Sequence, residues 1–205
     1  NNNRGVQILN NNVNTLGAGQ TTTVYAISGG NGPHGVISGN TVNVNAPSTF
    51  YGIYWSASGL NNAASVVNNN VINSVLSSTS TYYGVYLALG GTNSTVSVSG
   101  NTISGLTSTA ARTSGTTYGM YYSSNTSNLS VLNNTFTNNN IGAATYSGGV
   151  YGIYYYNYSQ PAASTCLVSN NTITNNTYNG TGLVYHLYLG GYPLSGIANG
   201  SANLN

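Results

Sequence analysis

Apolar residues along this chain fall in short runs of Val, Ile and Tyr, separated by clusters of Asn, Gly, Ser and Thr. β-branched and aromatic residues favour strands, whereas Asn, Gly and Ser favour turns. Helix-forming residues are scarce, since the chain has no Glu, no Lys and one Met. The pattern therefore predicts an all-β chain built from short strands.

One motif recurs six times, at intervals of 29 to 37 residues. It reads apolar, any residue, Asn or Gly, Asn, any residue, apolar, as in Ile37–Val42 and Val98–Ile103. Its two apolar residues are five positions apart, so a straight strand would place them on opposite faces. Both reach the same core if the chain bends between them at Gly or Asn, which tolerate left-handed backbone angles.

A second motif, Tyr-Gly-apolar-Tyr, falls between successive copies of the first, as in Tyr51–Tyr54. Alternation with period two predicts that Tyr51 and Ile53 share one face of the strand and that Gly52 and Tyr54 share the other. Two motifs that stay in phase indicate a structural repeat. Each repeat is interpreted as strand, Asn bend, strand, loop, strand and loop, which is one rung of a parallel β-solenoid.

Stacked rungs bring equivalent residues to within about 4.8 Å of each other. The fixed Asn of the first motif would then form a ladder in which side-chain amides hydrogen-bond from rung to rung. The predicted ladder is Asn11, Asn40, Asn70, Asn101, Asn134 and Asn171. The fourth position of the second motif would form an outward column of Tyr54, Tyr86, Tyr121, Tyr154 and Tyr188. This column is either a surface of good strand formers or a contact surface for sugar rings or a neighbouring subunit.

The V-x-G-N-T-I rung with its Asn bend resembles the right-handed parallel β-helix superfamily. The whole pattern is most similar to Asn- and Tyr-rich repeats of exported bacterial surface proteins, over about residues 6–190. The resemblance implies a right-handed β-solenoid of about six rungs of 29–37 residues, and parallel crossovers are generally right-handed as well. We expect residues 1–205 to form one domain that is uncapped at both ends, either a piece of a longer solenoid or a subunit that stacks end to end.

Charge is almost absent, with no Asp or Glu and a total of two Lys plus Arg. Without carboxylates the chain has no acid–base carboxylate pair, no carboxylate cage for a metal and no Ser-His-Asp triad. The catalytic residues of the enzymes in that superfamily include Asp, so the resemblance implies architecture and no activity. We expect no enzyme function and no cofactor. Two cations disfavour nucleic-acid binding, and no apolar run is long enough for a membrane-spanning helix.

The expected function is an extracellular or cell-surface structural protein that self-assembles head to tail into a filament, sheath or stalk. Like charges would repel at every rung of a column, whereas Asn, Ser, Thr and Tyr form hydrogen bonds and stacks. Near-zero charge also promotes association. The alternative is a carbohydrate-binding adhesin repeat, in which the Tyr column is a stacking platform for glycans.

A few further residues carry weaker predictions. Glycosylation sequons in predicted outer loops are Asn125, Asn128, Asn157 and Asn179. Cys166 is interpreted as a small buried side chain. His34 and His186 have too few partner ligands for a metal site, and His186 is expected to point outward. The Thr residues beside the ladder form one column that Val71 interrupts, which disfavours ice binding.

Overall fold

A computed structural model describes residues 5–14, 22–30, 34–46, 48–57, 64–77, 79–109, 112–123, 125–157, 165–191 and 203–204. Among these residues every strand pairing is parallel and there is no helix. The stacked coils form a β-solenoid of about five turns, which confirms the predicted all-β architecture. The right-handed sense, the number of rungs and the single domain over the whole chain stay predictions.

The strands run around the coils and occupy three faces. In chain order they are β1 (Val6–Leu9), β2 (Asn12–Asn14), β3 (Val24–Ser28), β4 (Gly35–Ser38), β5 (Thr41–Ala46), β6 (Phe50–Ala57), β7 (Ala64–Asn68), β8 (Val71–Leu76), β9 (Tyr82–Ser99), β10 (Thr102–Ser104), β11 (Thr107–Ser108), β12 (Thr117–Ser123), β13 (Asn125–Leu132), β14 (Thr135–Thr137), β15 (Asn140–Ile141), β16 (Val150–Asn157), β17 (Thr165–Ser169), β18 (Thr172–Thr174), β19 (Thr177–Tyr178), β20 (Val184–Gly191) and β21 (Asn203–Leu204).

Strands of the same face stack on one another from coil to coil. Face A contains β1, β4, β7, the second half of β9, β13 and β17. Face B begins with β2, β5 and β8. In the following coils it consists of two short consecutive strands each, β10 and β11, then β14 and β15, then β18 and β19, and it also includes β21. Face C contains β3, β6, the first half of β9, β12, β16 and β20.

The chain turns from face A to face B at the first motif, as predicted. In all six copies the residue before the ladder Asn has a left-handed φ, between 53° and 67°. These residues are Asn10, Gly39, Asn69, Gly100, Asn133 and Asn170. Gly and Asn adopt this conformation at the lowest steric cost. The bend lets both apolar residues of one motif reach the core, and Ile37 and Val42 are each fully buried.

The core is built from columns of apolar side chains in register. One column on face C is Ile27, Ile53, Val85, Met120, Ile153 and Leu187. Its first five members are buried and Leu187 is partly buried. Because each coil covers its neighbours, apolar side chains that would be partly exposed in an isolated strand are excluded from water in the stack.

Alternation on face C is interrupted at the Gly of the second motif. Gly52 and Ile53 are both buried, so Tyr51 and Tyr54 lie on the outer surface although they are three positions apart. The prediction that Tyr51 shares a face with Ile53, and Gly52 with Tyr54, is wrong. The reason is close packing, since a Cβ on Gly52 would lie 2.6 Å from the carbonyl oxygen of Gly84 in the next coil and 3.0 Å from Cγ2 of Ile72.

Candidate functional site

The six predicted ladder asparagines lie in one column. The Nδ2 group of each donates to Oδ1 of the Asn in the next coil: Asn11 to Asn40 at 2.9 Å, Asn40 to Asn70 at 2.8 Å, Asn70 to Asn101 at 2.8 Å, Asn101 to Asn134 at 3.0 Å and Asn134 to Asn171 at 2.9 Å. The backbone N–H of each donor Asn reaches the same Oδ1, at 2.9 to 3.2 Å. Each acceptor oxygen therefore receives two hydrogen bonds from the preceding coil.

The column is buried along most of its length. Asn40, Asn70, Asn101 and Asn134 are at most 1% exposed. A buried amide without partners would be strongly destabilising, and here each Nδ2 also donates to a backbone carbonyl of the preceding coil, as Asn70 does to Ile37 at 3.0 Å. The ladder therefore holds the corner of each coil to its neighbours.

The ladder is also directional. All five Asn-to-Asn side-chain bonds run from donor to acceptor toward the C-terminal coil. At the N-terminal end of the described ladder, no described donor reaches Oδ1 of the exposed Asn11. At the opposite end, the backbone N–H of Asn171 has no acceptor Asn among the described residues.

A second, shorter Asn ladder lies at another corner and was missed by the sequence analysis. Nδ2 of Asn139 donates to Oδ1 of Asn176 at 2.8 Å, and Asn138 and Asn175 before them have left-handed φ. In the preceding coil the backbone N–H of Leu106 donates to Oδ1 of Asn139 at 2.9 Å. The sequence signal is the second Asn five residues after Asn134 and Asn171, which could have indicated this corner.

The predicted Tyr column is a continuous stack of rings. Ring centroids are separated by 5.2 Å for Tyr54–Tyr86, 4.9 Å for Tyr86–Tyr121, 5.0 Å for Tyr121–Tyr154 and 4.7 Å for Tyr154–Tyr188. The paired rings lie within 10° of parallel. Strand register imposes this spacing, because the five residues are direct partners across the parallel pairs.

A second Tyr column stands beside the first and was not predicted. It consists of Tyr25, Tyr51, Tyr83, Tyr118, Tyr151 and Tyr185, the first residue of every second-motif copy. Consecutive centroids are 4.7 to 5.2 Å apart, and the rings are within 15° of parallel. The signal was present in the repeated first position, but the alternation rule assigned this residue to the core face.

The two columns interlock into one surface of eleven rings, called the tyrosine face below. Rings of the two columns meet edge to face: Tyr51–Tyr54 at 5.2 Å and 78°, and Tyr83–Tyr86 at 5.2 Å and 82°. Aromatic pairs favour such arrangements. Most of these side chains are half-buried, whereas Tyr25 near one end is 48% exposed.

Several phenols of the tyrosine face have a raised pKa, mainly because they are buried. Burial, and then repulsion from neighbouring phenolates, raises the pKa of Tyr118 and Tyr154 to about 12. The pKa of Tyr83 is raised for the same reasons. Tyr83, Tyr118 and Tyr154 therefore stay protonated at neutral pH and offer uncharged hydroxyl groups and ring edges.

The sequon asparagines do not all lie in loops. The prediction of outer loops is wrong for Asn125, Asn128 and Asn157, which belong to strands because neighbouring coils supply their backbone partners. Oδ1 of Asn128 accepts a hydrogen bond from Oγ1 of Thr165 at 2.7 Å. Asn179 is exposed outside the strands, and its Nδ2 donates to Oδ1 of Asn140 at 3.0 Å.

Arg112 is 1% exposed, although the chain contains no carboxylate to pair with it. Its guanidinium donates to the carbonyl of Ser80 at 3.1 Å and to Oγ1 of Thr117 at 3.0 Å, and it lies 5.7 Å from the ring centroid of Tyr146. Desolvation lowers its pKa from the ordinary value. The contacts tie one loop to the preceding coil, which is a structural role that the sequence did not reveal.

The remaining predicted chemistry is sparse. Cys166 is buried, as expected, and burial raises the pKa of its thiol to about 11. The exposed His186 takes the place of the second-motif Gly, and its ring centroid is 6.0 Å from that of Tyr178. Within the described part of the chain, no three His or Cys residues gather as metal ligands. The same residues include no helix long and apolar enough to cross a bilayer.

Comparison with known proteins adds no relative. No family model, curated protein or solved structure matches the chain. The fold is therefore established by the geometry of the coils alone, and the resemblance to exported bacterial surface repeats stays a prediction. The chain is a parallel β-solenoid with two regular features, a buried, directional Asn ladder and a double column of tyrosines on its outer surface.

Proposed function

We propose that this chain is an extracellular structural protein that assembles head to tail by β-solenoid stacking, in the manner expected of Asn- and Tyr-rich surface repeats. The observation that carries the proposal is the direction of the Asn ladder. Every Asn-to-Asn side-chain bond of the ladder from Asn11 to Asn171 points the same way, so a head-to-tail junction is the arrangement that would bring donors of one copy toward Oδ1 of Asn11 of a second copy.

The backbone supports the same geometry. Among the described strands β1 pairs only with β4, and β20 pairs only with β16, so each has a described partner along one edge. Open edges of parallel strands are templates for a further strand. Head-to-tail addition keeps the added strand parallel, as in every pair within the chain.

The lack of charge removes the usual barrier to such contact. The chain has a formal net charge of +2 and no acidic residue, so junction surfaces do not repel. Side-chain hydrogen bonds along the outer columns, such as Ser104 Oγ to Asn73 Oδ1 at 2.9 Å, take the place of surface ion pairs.

The tyrosine face is assigned to lateral contact between filaments. The alternative, a glycan-binding adhesin, requires aromatic rings whose faces are open to a sugar. Here the stack places one ring against the next at about 5 Å, so Tyr86 and Tyr121 have neighbours on both faces. The stacking favours contact through ring edges and hydroxyls over a platform for sugars.

A proline at the open edge tests the assembly. The backbone N–H groups of Val6 and Asn10 donate to the next coil, and because N–H directions alternate along a strand, that of Gln7 faces the open edge. Gln7→Pro removes a donor only from that edge, which tolerates proline. Gln7→Ala is the matched control, since it keeps the N–H group.

Sedimentation velocity and electron microscopy at neutral pH provide the readout. We expect filaments from the unmodified chain and from Gln7→Ala, and monomers from Gln7→Pro with unchanged β-sheet circular dichroism. Monodisperse monomers of the unmodified chain over a wide concentration range would overturn the proposal. Filaments of Gln7→Pro as abundant as those of Gln7→Ala would show that β1 is not the junction.

A further inference from the structure

The tyrosine face has a property that lateral packing does not require: its rings form an unbroken series of contacts. The second column alone runs from Tyr25 to Tyr185 with no centroid separation above 5.2 Å. The first column adds parallel contacts, and edge contacts such as Tyr83–Tyr121 at 5.4 Å join the two. Electron transfer between aromatic rings in such contact needs no intervening carrier.

We propose that the tyrosine face is a relay for one-electron oxidation, along which a tyrosyl radical formed at one coil migrates to distant coils of the same chain. A one-electron oxidant, such as a photoexcited metal complex or a peroxide-derived oxidant, removes an electron from one phenol, and the phenolic proton leaves to water. The product is a neutral tyrosyl radical and a reduced oxidant.

Each migration step is balanced. A radical Tyr–O• takes one electron through the ring contact and one proton at its oxygen, so an O–H bond forms there. The neighbouring Tyr–OH loses the same electron and proton, so its O–H bond breaks and it becomes the radical. Donor and acceptor are the same chemical group, so no external driving force is required for a step.

The structure provides the conditions for this exchange. Burial raises the pKa of Tyr83, Tyr118 and Tyr154, so these phenols are protonated at neutral pH and their oxidation, with loss of the phenolic proton, produces a neutral radical. Most of the side chains are half-buried, which leaves them within reach of water that can carry the proton. The rings are held by strand register on both sides, as Tyr86 is by Tyr54 and Tyr121, so little rearrangement accompanies each step.

The competing path runs through the core. Trp55 is fully buried within the same strand as Tyr54, and its indole is also oxidisable. The chain has a single Trp, so a radical on Trp55 has no second indole to which it could migrate. A radical that settles on Trp55 would therefore stop at one coil, and this outcome is distinguishable from migration along the tyrosine face.

The test places the oxidant at one end of the relay. Thr22 is exposed three residues before Tyr25, and Thr22→Cys in a Cys166→Ala chain accepts a thiol-reactive ruthenium polypyridyl photo-oxidant at one site. Illumination with an electron acceptor and a nitroso spin trap leaves adducts that peptide mass spectrometry locates. Dilution of the labelled chain into unlabelled, isotope-marked chain separates transfer within one molecule from transfer between molecules.

The relay predicts adducts at Tyr185 and Tyr188 of the labelled chain itself. The double variant Tyr83→Phe/Tyr86→Phe keeps both rings but removes their phenolic O–H groups, so distal adducts should fall to background. Tyr122→Phe is the matched control, because Tyr122 lies in the core and the same change there should leave distal adducts intact.

Three results would overturn the relay: adducts confined to the coil of the label in the reference chain, adducts at Trp55 alone, or distal adducts that survive the double variant. Circular dichroism of each variant establishes that the β-solenoid is retained. Unfolding the reference chain in denaturant should abolish the distal adducts, since the ring contacts exist only in the stacked coils.

Discussion

Removal of one amide from the middle of the Asn ladder should destabilise the whole stack. Oδ1 of Asn101 accepts from the backbone N–H and Nδ2 of Asn70 at 3.2 and 2.8 Å, and its Nδ2 donates to the carbonyl of Val67 at 2.9 Å and to Oδ1 of Asn134 at 3.0 Å. Asn101→Ala removes all four hydrogen bonds at a site that is 0% exposed.

The magnitude follows from these contacts. Each lost hydrogen bond contributes about 1 kcal/mol net, so the free energy of unfolding should fall by about 4 kcal/mol. The N–H of Asn70 and the carbonyl of Val67 also lose these partners while they stay buried. This desolvation cost adds to the loss of stability. Typical domains have a stability of about 5–15 kcal/mol, so the change is a large fraction of the total.

The matched control is Asn11→Ala, at the exposed end of the same ladder. Asn11 makes two side-chain hydrogen bonds, to Asn40 and to the carbonyl of Leu9, and no described donor depends on its Oδ1. We expect a loss below about 1 kcal/mol, as for other exposed positions.

Denaturant unfolding followed by the fluorescence of the single, buried Trp55 measures both variants. Both variants are made in the Gln7→Pro background, which we expect to be monomeric, and sedimentation velocity checks that assembly does not contribute to the measured stability. Equal losses for Asn101→Ala and Asn11→Ala, or a loss below about 1 kcal/mol for Asn101→Ala, would refute the reasoning that the buried ladder stabilises the coil corners.

Four further predictions use the same preparation. Gly84→Ala should lower the free energy of unfolding by about 1–3 kcal/mol, because the new Cβ would lie 2.5 Å from the Gly119 carbonyl oxygen. In Gly5→Ala the atom nearest to the new Cβ is 3.5 Å away, so the free energy of unfolding should change by less than about 0.5 kcal/mol. Equal effects on the denaturant midpoint would contradict this packing argument. Cys166 should resist an aromatic disulfide reagent at mildly alkaline pH until the chain unfolds, because it is buried and its thiol pKa is raised to about 11; stoichiometric reaction of the native chain would disagree. Burial raises the pKa of Tyr122 above its ordinary value of 10, so its contribution to stability is complete below about pH 10 and is lost as pH rises further. With no carboxylate to protonate, stability should vary by less than about 1 kcal/mol between about pH 3 and pH 8, and cooperative acid unfolding would contradict this.

The features that sequence predicted correctly are those decided by local backbone chemistry. A bend between two inward apolar residues needs a left-handed residue, and Gly or Asn precedes the ladder Asn in all six copies. The same argument would have found the corner at Asn139 and Asn176, because their spacing from the first ladder repeats, but it was applied to one motif only. Parallel stacking followed from the repeat itself.

The features that sequence did not predict depend on contacts between coils. The position of Tyr51 on the outer surface follows from the close packing of Gly52 against Ile72, which period-two alternation does not contain. The burial of Arg112 depends on two acceptors, the carbonyl of Ser80 in the preceding coil and the hydroxyl of Thr117, and nothing in its sequence neighbourhood marks it. Asn128 lies in a strand because the neighbouring coils extend the sheet past the expected turn.

Fibre diffraction from aligned assemblies of the 205-residue chain tests the central claim most directly. If subunits join head to tail with the same stacking as the coils within one chain, the strands lie across the filament. A strong reflection at about 4.8 Å is then expected along the filament axis. A 4.8 Å reflection at right angles to the axis, or ordered filaments without one, would contradict the proposed assembly.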